Sequence, residues 1–305
     1  MPNDWRRIDS LITPNSSLDG PRMGPVLYGT VICRDLAASV AAYRDWLGQL
    51  VLEQSRLSTA QALFLQAPAL IQARVAWLGP SRRELPWLRL IEDPDAAFHP
   101  PFGRAGWMCL EVAVRAVDAL AGQLEHSPFT VLAGPQDLEM SPNIRAMQVA
   151  GPSGEVLYLT QVKAAVKPFE LPQARHFVDR LFIPVLATND RAASLKVYEL
   201  LALGKGLQFN TKLGAFNLSQ QLAPETLHPV AVLQLRNASL IEIDQIPVPS
   251  LNPAPSEHLP GGIASVTFKV PAIHPMLEAQ LKRFLRGHAG EGIELHGGNL
   301  RDWHF

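Results

Sequence analysis

Cysteine is nearly missing from this chain, with two in 305 residues, Cys33 and Cys109. Both lie inside apolar runs and neither belongs to a CxxC or other ligand spacing. This excludes a disulfide framework and a thiolate metal site, and reads as buried thiols in a reducing cytoplasm. Charge of one sign is lacking too: 27 basic residues against 28 acidic ones leave a net −1, too weak a field to recruit nucleic acid or an anionic membrane. No apolar run approaches the ~20 residues of a membrane span, and the N-terminus has no apolar signal-peptide core, so a cytoplasmic protein is expected. Nucleotide and nucleophile motifs are absent as well. Gly151-Pro-Ser-Gly154 is a hairpin turn and not a nucleophile elbow, and Gly204-Lys-Gly206 lacks the spacing of a phosphate loop.

What the chain does have is an internal repeat. Asp35-LAASVAA-Tyr43 returns as Asp190-RAASLKV-Tyr198, each copy after an extended apolar run, VLYGTVIC or RLFIPVLA. The Asp at each junction is a good helix N-cap, because its carboxylate accepts from orphan amides of the first turn. A second element, WMCLEVAV (107–114) followed by VDALAGQL, returns as SVTFKVPA (265–272) followed by HPMLEAQL. Three alternating strands, WLRLIE (87–92), VLYLTQ (156–161) and LIEIDQ (240–245), sit at matching places. A polar linker divides the halves, and a Pro-rich connector (246–262) lies inside the second. The chain therefore reads as strand-helix-strands four times over, an α+β architecture built by repetition.

This order and spacing resembles the paired βαβββ modules of the vicinal-oxygen-chelate superfamily, which includes glyoxalases, bleomycin-resistance proteins and extradiol dioxygenases. The resemblance covers about residues 26–305 and implies two half-barrel domains. The expected division is an N-terminal extension (1–25), a first domain of two modules (26–161), a linker (162–178) and a second domain (179–305). Aligning Arg145-AMQV with Arg301-DWHF puts the C-terminus in mid-strand, so the fourth module is expected to be truncated and to lack a counterpart of GPSGEVLYLTQ. Its open edge would need covering, by another element or by a second subunit in a homodimer.

The resemblance also implies a divalent metal held by His on first strands and Glu on last strands. Strand alternation identifies the inward residues at those places. On first strands they are Tyr28, Trp107 (followed on the same face by Cys109 and Glu111), Phe182 or Ile183, and Ser265. On last strands they are Arg89, Tyr158 and Glu242, the fourth falling beyond the chain end. One carboxylate does not make a catalytic metal site, so no metal or other cofactor is expected. In domain 1, Tyr28 and Tyr158 are candidate acid–base groups. Arg89, Trp107, Glu111, Gln148, Thr30 and Cys109 are candidate walls of one common cavity for an aromatic, anionic small molecule, since a guanidinium grips a carboxylate with two parallel hydrogen bonds. In domain 2 the candidates are Glu242, Gln234 and Ser265, with Lys269 as a counter-ion. Three readings compete: a metal-independent isomerase, lyase or binding protein; a conventional metal-dependent enzyme; and a sequestering or interaction protein whose cavity is plugged, with Arg89 paired to Glu111.

Overall fold

The repeat becomes two capped helices. Asp35 Oδ1 accepts from Ala38 N at 3.0 Å and Asp190 Oδ1 from Ala193 N at 2.9 Å, and these caps start α1 (Leu36–Leu47) and α4 (Arg191–Ala202). The computed structural model describes residues 23–139, 141–248, 257–270 and 282–297. The N-terminal extension up to residue 22, the helix expected after residue 272, and the C-terminal strand expected at Arg301-DWHF lie outside them.

Three strand-helix-strand units and a fourth group of strands follow one another among the described residues. The first holds β1 (Val26–Cys33), α1, β2 (Leu50–Arg56), α2 (Thr59–Phe64), β3 (Arg74–Gly79) and β4 (Leu88–Glu92). The second holds β5 (Gly106–Val114), α3 (Val117–Leu124), β6 (Thr130–Leu138), β7 (Ser141–Ala150) and β8 (Val156–Val162). The third holds β9 (Val178–Thr188), α4, β10 (Leu207–Lys212), α5 (Gly214–Ser219), β11 (Leu227–Leu235) and β12 (Ser239–Gln245). The fourth holds β13 (Gly262–Lys269), β14 (Lys282–Arg286) and β15 (Gly292–His296), three strands among the described residues where the others have four. No helix among the described residues is long and apolar enough to cross a membrane.

The modules do not pair in chain order. The first sheet runs β14-β15-β13-β1-β4-β3-β2, joining modules one and four through antiparallel β1 and β13. The second runs β10-β11-β12-β9-β5-β8-β7-β6, joining modules two and three through β5 and β9. The expected pairing of neighbours, one with two and three with four, is therefore replaced by a crossed one. The expected end of the fourth module also moves: β15, parallel to β13 as β4 is to β1, is its closing strand. Gly287-His-Ala-Gly-Glu291-Gly-Ile-Glu294 is thus the counterpart of Gly151-Pro-Ser-Gly-Glu155-Val-Leu-Tyr158. Sequence alignment missed it because only the two Gly, one Glu and the alternation survive.

Both sheets turn their convex faces to one shared core. Val31, Leu88 and Leu90 from the first sheet, Leu110, Val112, Leu157 and Leu159 from the second, and the inner faces of α1, α3 and α4 form a single apolar cluster. The sheets meet so closely at β1 that a Cβ on Gly29 would stand 2.6 Å from Leu110 Cδ1. Trp107 reaches from β5 into the first sheet, donating Nε1–H to Gly292 O at 2.7 Å.

Two buried hydrogen bonds, matched by the repeat, tie the sheets together. The Tyr43 hydroxyl on α1 donates to Glu155 Oε1 at 2.7 Å, and Tyr198 on α4 donates to Glu291 Oε1 at 2.6 Å. Each bond runs from a helix of one sheet's module to the turn before a strand of the other. Gly151 and Gly287 leave the room that these two Glu side chains occupy, which a Cβ would fill. Tyr43→Phe strands a buried carboxyl acceptor, so it is expected to cost about 1–3 kcal/mol, and Tyr198→Phe a similar amount. Urea denaturation of each variant checks this, and losses within error of zero would show the bonds to be dispensable.

Candidate functional site

Inward residues of the first sheet close on themselves. Arg89 on β4 stands level with Thr30 on β1, and Glu294 on β15 stands level with Thr267 on β13. Arg89 donates Nη2–H to Glu294 Oε1 at 2.5 Å and Nε–H to Thr30 Oγ1 at 3.0 Å, while Ser265 donates to the same Glu294 oxygen at 2.5 Å. The guanidinium carbon lies 5.2 Å from the centre of the Tyr28 ring and 5.3 Å from that of Trp77, two rings in edge contact with each other. Burial pushes the Tyr28 hydroxyl well above its usual range, with Glu294 adding to the rise. Arg89 is 6% exposed, Glu294 and Ser265 0% and Tyr28 2%. This face is filled and sealed.

The second sheet is built differently. Cys109 and Glu111 on β5, Tyr158 on β8, and Glu242 and Asp244 on β12 all share its concave side, opposite the neighbours that enter the common core. Gln148, Tyr158 and Glu111 stand in one row across β7, β8 and β5, and Cys109, Val185 and Glu242 in another. None of Glu111, Glu242 and Asp244 has a salt bridge among the described residues. Burial raises all three: Glu111 to about 8 with a further push from Glu242, Glu242 to about 7, and Asp244 well above the carboxylate range with Glu242 adding to the rise. Burial likewise pushes the Tyr158 hydroxyl and the Cys109 thiol up. Glu242 and Tyr158 remain partly open to solvent, whereas Asp244 and Cys109 are fully buried. Phe216 and Leu213 from the α5 segment and Phe102 line the apolar part of this face.

The sequence reading therefore needs four corrections. Tyr28 and Thr30 with Arg89 belong to one sheet, and Cys109, Glu111, Gln148 and Tyr158 to the other, so they do not share one cavity. Trp107 faces the common core, because a register shift between Trp107 and Cys109 turns it away from the concave side. Arg89 pairs with Glu294 and not with Glu111. Glu242 is not in the same half-barrel as Ser265 and Lys269, which lie on β13 of the first sheet. Gln148 faces inward as expected while Arg145 binds Asp118 outside. Gln234 shares the face of Glu242 but is spent on the linker, accepting from Glu170 N at 2.9 Å. Phe182 and Ile183 both reach the concave-side cluster. Cys33 and Cys109 are free and buried. Glu294 and Asp244 were missed; the Gly-x-x-Gly-Glu turn before Glu294 was the signal that could have found the first.

Comparison with solved structures shows the same architecture along nearly the whole chain. A V278E variant of glyoxalase I from Zea mays superposes with a TM-score of 0.59 at 14% identity, covering 96% of each chain. A putative dioxygenase from Bacillus subtilis superposes with 0.59 at 9% identity, over 90% of this chain and 86% of that one. This chain has the vicinal-oxygen-chelate fold. Neither a family sequence model nor a curated sequence matches it.

The fold implies a divalent metal at the inward positions of first and last strands, and the residues here do not fit one. In the first sheet those positions are Tyr28, Arg89, Ser265 and Glu294, and the guanidinium already stands against the single carboxylate. A dication there would meet a fixed positive charge. In the second sheet they are Cys109, Tyr158, Ile183 and Glu242, with no His, and with a thiol and a phenol whose burial favours the protonated, non-ligating forms. No three His, Cys, Asp or Glu side chains converge on a metal-sized site among the described residues.

Two predictions follow from the electrostatics. Arg89→Met leaves Glu294 buried without its counter-ion and is expected to destabilise by about 3–5 kcal/mol, whereas Arg89→Met combined with Glu294→Met is expected to recover most of the loss. Equal losses for single and double variants in denaturant melts would contradict the ion-pair account. The raised carboxyl groups make stability pH-dependent. Glu111, Glu155, Glu242 and Glu291 bind protons more tightly folded than unfolded. Their contribution is complete below the unfolded pKa near 4.5 and is lost as pH rises through about 7 to 8. Unfolding free energy is expected to fall steadily between about pH 5 and pH 8.5, and Glu111→Gln to flatten that slope. A flat or rising profile in the wild type would contradict this.

Proposed function

We propose that this protein is a metal-independent small-molecule binder of the vicinal-oxygen-chelate fold, suited to isomerase- or lyase-type proton transfer, and that its working site is the concave face of the second sheet. The observation that carries the reading is the contrast between the two faces. One balances its carboxylate with an internal Arg and excludes water; the other gathers Glu111, Glu242 and Asp244 with no cation and opens to solvent at Glu242 and Tyr158.

Carboxyl groups that titrate near neutrality are poised for proton transfer. With Glu111 raised to about 8 and Glu242 to about 7, one is protonated while its neighbour ionises around physiological pH, the division of labour of an acid–base pair. Glu242, partly exposed, is the group placed to meet a ligand; burial raises its proton affinity, a hydrogen bond with Asp244 lowers it, and Glu242 in turn raises that of Glu111. The anionic aromatic ligand expected for Arg89 loses its support, since that guanidinium is bonded to Glu294 and Thr30. Strong perturbation by burial and by like charge on a concave face is also what marks functional carboxyls generally.

A thermal-shift panel of small aromatic and aliphatic compounds, in cationic, neutral and anionic forms, tests the proposal. At least one class is expected to stabilise the wild type, by about 2.7 kcal/mol at a hundred times its Kd, and to lose most of that effect in Glu242→Gln. No stabilisation by any class, or stabilisation unaltered in Glu242→Gln, would rule the site out.

A further inference from the structure

The second sheet's concave face is lined by acceptors that lack donors. Asp244 is fully buried, its carboxyl set against that of Glu242, and beyond that acid neighbour neither of its oxygens has a hydrogen-bond partner among the described residues. Gln148, 7% exposed, buries its side-chain oxygen with no partner there as well, while Thr160, 1% exposed, turns its hydroxyl toward Glu111. Both lie on the inward side: Gln148 is level with Tyr158 across β7 and β8, and Thr160 is two residues beyond Tyr158 on β8. Glu111 lies level with Tyr158 on the other flank. Buried polar oxygens are normally satisfied, so a group of them turned toward acids without a counter-ion calls for a donor from outside the chain.

We infer that this face is a receptor for an organic cation, a primary ammonium carried on an apolar or aromatic body; this rests on the reading of that face as the working site. An ammonium offers three donors and no acceptor, which matches a wall of carboxyl, amide and hydroxyl oxygens. Its charge supplies what Arg89 supplies to Glu294 in the other sheet. Its body has the apolar surface of Phe216, Ile183, Val185 and Val232, on the same concave side, to rest on. Glu242 and Glu111 stand on strands separated by β9, about 10 Å apart along the sheet, a span that suits a ligand with a head and a body. A bare metal ion fits less well, since no three ligating side chains converge among the described residues.

Binding a cation draws the carboxyl groups into their charged forms, so protons are released. The titratable groups facing the site are Cys109 and Glu111 on β5, Tyr158 on β8, Glu242 and Asp244 on β12, and His228 on β11 beside Phe216. His228 is held by Asn217 at 2.7 Å, and burial lowers its proton affinity. Loss of protons from the acids makes affinity rise with pH while the ammonium remains charged.

Calorimetric titration of the full chain with butylamine, cyclohexylamine and 2-phenylethylamine, each beside its alcohol, tests this directly. At least one amine is expected to bind about tenfold or more tightly than its alcohol. Its affinity is expected to rise about tenfold from pH 6 to pH 8.5, with proton release seen as a buffer-dependent heat. Glu242→Gln and Asp244→Asn are each expected to weaken it about tenfold, their folding checked by circular dichroism. An alcohol binding as well as its amine would overturn the inference while leaving the face a binding site. Failure of all three amines to bind would overturn it too, and the broader panel of neutral and anionic compounds then decides separately whether the site reading survives. Stoichiometric Mn²⁺ binding that competes with the amine would overturn it in favour of a metal site.

Discussion

The two hydroxyl–carboxyl bonds, Tyr43 to Glu155 and Tyr198 to Glu291, are the constraint on which the arrangement of this molecule turns. Modules one and four share a sheet, as do modules two and three, so covalent chain order alone would let the two sheets drift apart except at their linkers. Each Tyr stands on the inner side of a helix belonging to one sheet and reaches a turn belonging to the other. The bonds are buried, so a slip that broke one would leave a carboxyl acceptor unsatisfied in an apolar core. Ser39 on α1 adds a contact with Ser153 in the same turn. Gly29 against Leu110, and Trp107 against Gly292, then bring the convex faces close enough to share one core. With the backs of the sheets fixed in this way, their concave faces point outward as two separate surfaces.

Those surfaces hold the same strand positions in opposite electrical states. The closing strands of modules three and four carry Glu242 and Glu294 at equivalent places. Opposite Glu294 the closing strand of module one offers Arg89; opposite Glu242 the closing strand of module two offers Tyr158. A guanidinium in a water-free site beside a carboxylate balances its charge from within the chain: Thr30 accepts from Arg89, Ser265 donates to Glu294, and two aromatic rings flank the guanidinium. A phenol cannot neutralise a carboxylate. The second face therefore lacks an internal cation, and Asp244 and Glu111 add two further buried acids whose burial favours the protonated form.

Much of this was legible in the residues. The Asp-x-Ala-Ala-Ser repeat gave the helices and their caps, and alternation placed Leu88 and Leu90, Leu157 and Leu159, and Ile241 and Ile243 on the helix side, where the structure has them. Inward orientation followed for Tyr28, Arg89, Tyr158, Gln148 and Glu242. What alternation cannot carry is which sheet a strand joins, because a strand's pattern is the same whichever neighbour it pairs with. Tyr28 and Tyr158 were therefore assigned to one cavity on the strength of chain order. Trp107 failed for a local reason: a bulge reverses the alternation that the argument relied on. Glu294 was lost because Gly-Glu-Gly-Ile-Glu-Leu has too few apolar residues to read as a buried strand, although Gly292 gives β15 the close approach to Ser265 that its place beside β13 requires.

The difference between the faces also decides where ligand chemistry is affordable. Burying the Arg89–Glu294 pair fixes both groups in one charge state, and changing either would leave the other stranded at a cost of several kcal/mol; such a pair holds a fold in place but has no proton to give. Burial of Glu111, Glu242 and Asp244 without a cation has the reverse effect. It raises Glu111 to about 8 and Glu242 to about 7, with Glu242 adding to the rise at its two neighbours, and makes the unliganded state less stable as pH rises. That instability is removed by anything that brings a positive charge or a set of donors to the concave face. Stability and recognition therefore draw on the same carboxyl groups, and the sheet without an internal cation is the one with free energy to gain from binding.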